Sequence, residues 1–228
     1  MAMNPSKPPA ALELIQQTRH QLEPLMHQII THRFLDALAA KQVPLPALQT
    51  LAAQQHHIVT SGIRNLALLV SRFGHLPSRT ILNDFLQAEF VVRERIPAFA
   101  EAVGLSREQL PQTPKLAKAM MFSYFISSVC LYGCDADLIL AFRFDSEVWI
   151  QNSLRVYRAL RSEYGLTTPQ AEFFKIYENY READERVSPY LQAALERGES
   201  PAQMQETARL LLEYELQFWE AMAETAGV

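Results

Sequence analysis

Six of the chain's seven glycines stand just past apolar runs of helical period, and this punctuation constrains the fold more than any other feature. Gly74, Gly104, Gly133, Gly165, Gly198 and Gly227 fall where helices should stop, because glycine takes the left-handed conformation beyond a helix end at little cost. Start signals match them. Ser106-Arg-Glu-Gln109 and Ser200-Pro-Ala-Gln203 fit the capping box, and Pro169 and Pro201 each sit one residue inside a Thr or Ser. Between these marks no strand-type alternation is sustained. The reading is of helices over 10–22, 24–40, 45–73, 78–103, 114–132, 135–164, 168–197 and 201–226, with kinks at Pro97 and Pro189. Long helices with short connections predict an all-α antiparallel bundle. It forms a single domain over 12–228, after a Pro/Ala/Ser-rich disordered leader at 1–11.

Charge narrows the partners. With a net charge of −4 and a pI near 5.9, the chain has no basic face for nucleic acid. Lys and Arg are scattered, and no apolar run reaches the ~18 residues of a membrane span. Cys130 and Cys134 make neither a disulfide framework nor a zinc box, and read as reduced thiols of a cytoplasmic protein.

Each long helix can then be followed along its apolar stripe. The last gives Met204, Ala208, Leu211, Glu215, Phe218, Met222; the fourth gives Leu82, Phe85, Glu89, Val92, Ile96. The 135–164 helix gives Leu140, Phe144, Glu147, Ile150, Leu154, and the 168–197 helix gives Tyr177, Tyr180, Asp184, Val187, Leu191. Four stripes each hold one carboxylate. A buried, unpaired carboxylate costs several kcal/mol, so such groups pair with a cation, share a proton or bind something. Gathered in a bundle they would line a polar cavity with perturbed pKa values. The competing reading pairs them with Arg93, Arg143 or Arg181 at helix boundaries. Tyr124, Tyr177 and Tyr180 suit proton relay, or equally the role of hydrogen-bonded core aromatics.

A carboxylate-bridged di-iron site needs histidines on the acid-bearing helices. All six histidines lie between His20 and His75, before the acids, so no metal ligands are assigned. No Gly-x-Ser-x-Gly elbow or phosphate-cradling glycine loop is present.

In order and spacing, several segments resemble the heme-oxygenase-like superfamily, in particular the TenA, PqqC and CADD-like proteins. They are His32-Arg-Phe34, Gln54-Gln55-His56, Arg95 to Leu105, Phe173-Phe174, and Tyr214-Glu-Leu-Gln-Phe-Trp219. The resemblance runs from about Leu25 to Met222. It implies a seven- or eight-helix bundle enclosing one pocket, in homodimers or tetramers. It places Glu215 at the TenA catalytic glutamate and Tyr124 at a pocket tyrosine. Glu89 and Glu147 match metal-binding glutamates of the di-iron members, and Glu147 falls near the TenA catalytic cysteine. Departures are equally specific. Ile96 stands where a histidine is expected, and Gln55 replaces an aspartate. The helix carrying Phe174, Tyr177, Arg181 and Asp184 lacks both of its histidines in either register, the other putting Tyr180 and Val187 at their positions.

The expected function is an interior acidic pocket for a small aromatic or heterocyclic metabolite, in cofactor or secondary metabolism. Glu215, Glu147, Glu89 and Asp184 are the candidate catalytic groups for an oxidative or acid–base step. Tyr124, Tyr177, Gln55 and His56 are the candidate substrate contacts. The resemblance brings iron as a cofactor class without the histidines to hold it, and a homodimer as the assembly. Two alternatives stand beside this reading: a catalytically degenerate binding protein on the same fold, and a non-heme iron oxidase.

Overall fold

The computed structural model describes residues 10–228, and its described residues form ten α-helices, two 3-10 turns and no strand. In chain order the helices are α1 (Ala10–Ile30), α2 (Arg33–Ala39), α3 (Leu45–Phe73), α4 (Arg79–Arg93), α5 (Ile96–Ala102), α6 (Ala117–Tyr132), α7 (Asp135–Ser162), α8 (Thr168–Ile176), α9 (Asp184–Glu196) and α10 (Pro201–Ala226). Of the expected leader, residues 1–9 lie outside the described residues, whereas Ala10 and Ala11 open α1 and Ala11 is fully buried.

The long helices fall where the glycine marks put them, but three boundaries differ. The break expected at residue 23 is absent, and α1 runs through Pro24. The buried line Leu14, Thr18, Leu22, Met26, Ile29 continues across the proline, so burial outweighs the hydrogen bond it removes. The chain turns instead at His32, whose Nδ1 accepts from the Phe34 N–H at 3.3 Å and caps α2.

The span 78–103 is two helices rather than one kinked helix. Pro97 sits in the first turn of α5, where a missing N–H leaves nothing unsatisfied. The span 168–197 is likewise interrupted, by a 3-10 turn at Tyr177–Tyr180 and an extended stretch over 181–183. Ser106 and Gln109 do exchange capping-box hydrogen bonds, at 2.8 and 3.3 Å, yet they open only the short 3-10 turn Leu110–Gln112.

One apolar core draws on all ten helices. α10 lies along α7 and α6, α3 lies against α4 and α6, and α8 bridges α5 and α7. No described helix is long and apolar enough to cross a membrane.

Candidate functional site

α3, α4, α6, α7, α10 and the Tyr177–Tyr180 turn surround a cavity with two adjoining chambers. The inner one, about 80 Å³, is lined by Gln55, Glu89, Phe122, Asp145, Trp149, Tyr177, Glu215 and Phe218. The outer one, about 100 Å³, shares Glu89, Asp145, Trp149 and Tyr177 with it and continues past Phe85, Phe142 and Tyr180 to Glu182. Each holds several times the ~10–15 Å³ that one water requires.

Three carboxyl groups meet there, from three helices. Glu215 of α10 is 2% exposed, and Trp219 Nε1 donates to its Oε1 at 3.2 Å. Asp145 of α7 lies beside Glu215, close enough for each carboxyl group to act directly on the other. Two adjacent carboxyl groups in a poorly solvated site resist ionising together, which favours a proton held on the pair. Burial pushes both groups upward; the Asp145 charge adds to the rise at Glu215, whereas the interaction with Glu215 offsets part of it at Asp145. Burial, with the Asp145 charge adding to it, pushes Glu89 up to about 8. Glu89 Oε2, Asp145 Oδ1 and Glu215 Oε2 are buried with no hydrogen-bond partner among the protein groups. Among the described residues no Arg or Lys forms a salt bridge with any of the three.

Local sequence explains the arrangement. Asp145 precedes Trp149, and Glu215 precedes Trp219, by four residues, one helical turn that puts acid and indole on one face. The two indoles stack at 5.6 Å between centroids. The Tyr177 ring meets Trp149 edge-on at 5.4 Å, and burial and the neighbouring acids raise its hydroxyl well above the usual range. Gly62 of α3 makes room for Glu89, since a Cβ there would lie 3.2 Å from Glu89 Oε2.

Of the residues expected from sequence, the structure brings Glu89, Glu215, Tyr177 and Gln55 together around the inner chamber. It places Glu147 and Asp184 elsewhere. Arg19 Nη1 lies 3.0 Å from both Glu147 oxygens, Arg143 Nη1 donates to Glu147 at 2.8 Å, and Arg143 Nε donates to Asp184 at 2.5 Å. These four charges tie α1, α7 and α9 together at a boundary, the paired alternative that named Arg143. Tyr124 is 55% exposed on α6, and His56 is half-buried outside the cavity lining. Asp145 is the acid sequence reasoning missed. Residues two apart on a helix point about 200° apart, so Asp145 and Glu147 cannot both face the cavity, and α7 is apolar enough on both sides to leave the choice open. The missed signal is the spacing to tryptophan that Asp145 shares with Glu215.

The donors do not fit a di-iron centre. The cavity acids have no imidazole among the lining residues, and no group of three or more His, Cys, Asp or Glu among the described residues is arranged to hold a metal ion. Nor is a thiolate at hand: burial pushes the Cys130 and Cys134 thiols up to about 12.

Solved structures share this all-helical arrangement, one of them described as having a heme oxygenase-like fold. A TenA homolog from Pseudomonas syringae pv. tomato superposes with a TM-score of 0.77 at 13% identity, over 97% of this chain and 96% of that one. A TenA family transcription regulator from Silicibacter sp. TM1040 gives 0.72 at 21% identity, over 92% and 96%. A domain of unknown function with a heme oxygenase-like fold from Shewanella denitrificans gives 0.71 at 12% identity, over 92% and 91%. At these identities the likeness speaks for fold alone. No curated protein matches the chain in sequence. The family model of the TENA/THI-4/PQQC family matches residues 19–226, and the chain belongs to that family.

Proposed function

We propose that the inner chamber binds a small aromatic or heterocyclic metabolite and moves a proton on it. The observation that carries this reading is the adjacent, buried Asp145–Glu215 pair in a cavity without a counter-cation. A half-protonated pair can donate to a ring nitrogen and accept from an amino or ring N–H at once. Trp149, Phe122, Phe218 and Tyr177 supply aromatic walls for a flat ligand. In this reading Asp145 and Glu215 are the acid and base, Glu89 accepts from a second ligand N–H, and Tyr177 and Gln55 orient the ring. Glu147 and Asp184 hold the frame instead.

The assembly we propose is a cytoplasmic homodimer. α6 has no charged residue from Ala119 to Tyr132, and its outer face exposes Met121, Tyr124 and Leu131 at helical spacing. A helix apolar on all sides is normally covered on all sides. Family resemblance points to a second copy as the cover.

Native mass spectrometry of the purified chain tests both parts. It should show a dimer retaining a small ligand, with the ligand lost from Glu215→Gln and Asp145→Asn proteins that still fold. Deuterium exchange at a carbon of that ligand, catalysed by wild type alone, is the expected sign of proton transfer. A ligand held unchanged, without exchange, would favour the binding-protein reading. Equal retention by both variants would sink the site assignment.

A further inference from the structure

Glu182 stands apart from the acids used so far. It lies on the extended stretch before α9, is 4% exposed, and accepts from Arg186 Nη1 through Oε1 at 2.7 Å. Its Oε2 is buried with no hydrogen-bond partner among the protein groups. Glu89 and Asp145, each with a partnerless buried oxygen, line the end of the outer chamber shared with the inner one, and Glu182 lines the far end, shared with a surface depression. The rest of the wall is largely apolar, with Leu66, Ile150, Phe142 and Phe85, the two phenylalanines edge-to-face at 5.3 Å.

A chamber with acceptors at both ends and an apolar middle complements a molecule of matching polarity, two N–H donors separated by an apolar or aromatic body. An anion would meet no unpaired cation at the far end, since Arg143, which also acts on Glu182, is taken by Glu147 and Asp184. Arg186 is already engaged by Glu182 and, at 2.6 Å, by Asp84. The far side of Glu182 also borders a surface depression lined by Asp84, Asn179 and Arg186, so this end lies toward solvent.

We infer that the outer chamber is a second subsite, in which Glu182 accepts a hydrogen bond from the distal amine of an elongated, two-ended amino ligand. This rests on the cavity reading above, with the proximal donor held by the inner acids. Glu182 thereby sets ligand length and selects for a cationic or neutral far end.

Calorimetric titration of the full chain with benzylamine and with 1,4-bis(aminomethyl)benzene tests it. The diamine should bind about tenfold more tightly, the scale of one charge-assisted hydrogen bond to a buried carboxylate. Glu182→Gln should erase that advantage and leave benzylamine unchanged. Phe85→Trp, which narrows the chamber and leaves the Glu182 carboxylate in place, should erase it as well, whereas Asp84→Asn should preserve it. Equal affinity of the two amines for wild type, binding of neither, or equally tight binding of benzene-1,4-dicarboxylate would each overturn the inference. So would an advantage that survives both Glu182→Gln and Phe85→Trp. Benzylamine bound by wild type and lost from Asp145→Asn, without any diamine advantage, would remove the outer subsite while leaving the inner one standing. Failure of the inner reading shows separately, as ligand retention indifferent to Asp145 and Glu215.

Discussion

Trp149 and Trp219 stack with ring centroids 5.6 Å apart and planes 29° from parallel, and each stands one helical turn beyond an acid of the cavity. The stack clamps α7 against α10 and so fixes the separation of Asp145 and Glu215. Acid pair and indole pair are thus one unit, built from the same two turns.

That unit makes Trp219 more than packing. Its N–H is the donor to Glu215 Oε1, so Trp219→Phe keeps most of the ring area and removes the hydrogen bond. Leaving a buried acceptor unsatisfied costs about 1–3 kcal/mol. Urea denaturation should show a loss of that size at neutral pH, and Trp219→Phe combined with Glu215→Leu should lose less than the sum of the single changes. Strict additivity would mean the bond contributes nothing.

Stability should depend on pH with a sign set by the raised acids. Glu89 has an ordinary value of 4.5 when exposed and about 8 in the fold, so the folded state holds a proton that the unfolded chain releases between these values. Its contribution is complete below pH 4.5 and disappears as pH rises toward 8. His32 and His56, lowered by burial, act in the opposite sense, but they are common to wild type and variant. The melting temperature of wild type relative to Glu89→Gln should therefore fall by a few degrees between pH 5 and pH 8. A difference that stays flat would show that Glu89 ionises normally.

Gly62 and Glu89 should be energetically coupled. Alanine in mid-helix is favoured over glycine by up to about 1 kcal/mol, but here its Cβ would crowd the Glu89 carboxyl. Gly62→Ala should stabilise a Glu89→Ala protein and do so less, or not at all, in wild type. A double-mutant cycle on urea unfolding should give a coupling of at least about 0.5 kcal/mol.

Glu147 and Glu215 should separate cleanly. Glu147→Gln weakens a charge cluster that joins three helices, and a loss of about 1–2 kcal/mol is expected, since the cluster is part-buried rather than surface-exposed. Ligand retention in native mass spectra should be unaffected. Glu215→Gln should do the reverse, losing the ligand with little loss of stability at pH 8.

The fold was legible because glycines and helical period both report backbone geometry, which local sequence controls. Boundaries failed where tertiary burial overrode local rules, as at Pro24, or where a turn has no strong local signal, as at Tyr177–Tyr180. The site was legible in part. An acid on an unambiguous stripe, such as Glu215, can be placed from sequence, because one side of the helix is plainly apolar. α7 is buried nearly all round, so its stripes are indistinguishable without neighbours, and Asp145 was passed over for Glu147. Asp184 went astray for a different reason: the stripe through Tyr177 and Asp184 assumed an unbroken helix, and the extended stretch over 181–183 resets its phase.

The chain contains two tryptophans, and both stand at the cavity acids. Light absorbed by indole in this protein is absorbed beside the acid pair and nowhere else. Its emission is therefore a built-in optical gauge of the site, responding to a proton leaving Asp145 or Glu215 and to a ring sliding against Trp149, with no label attached.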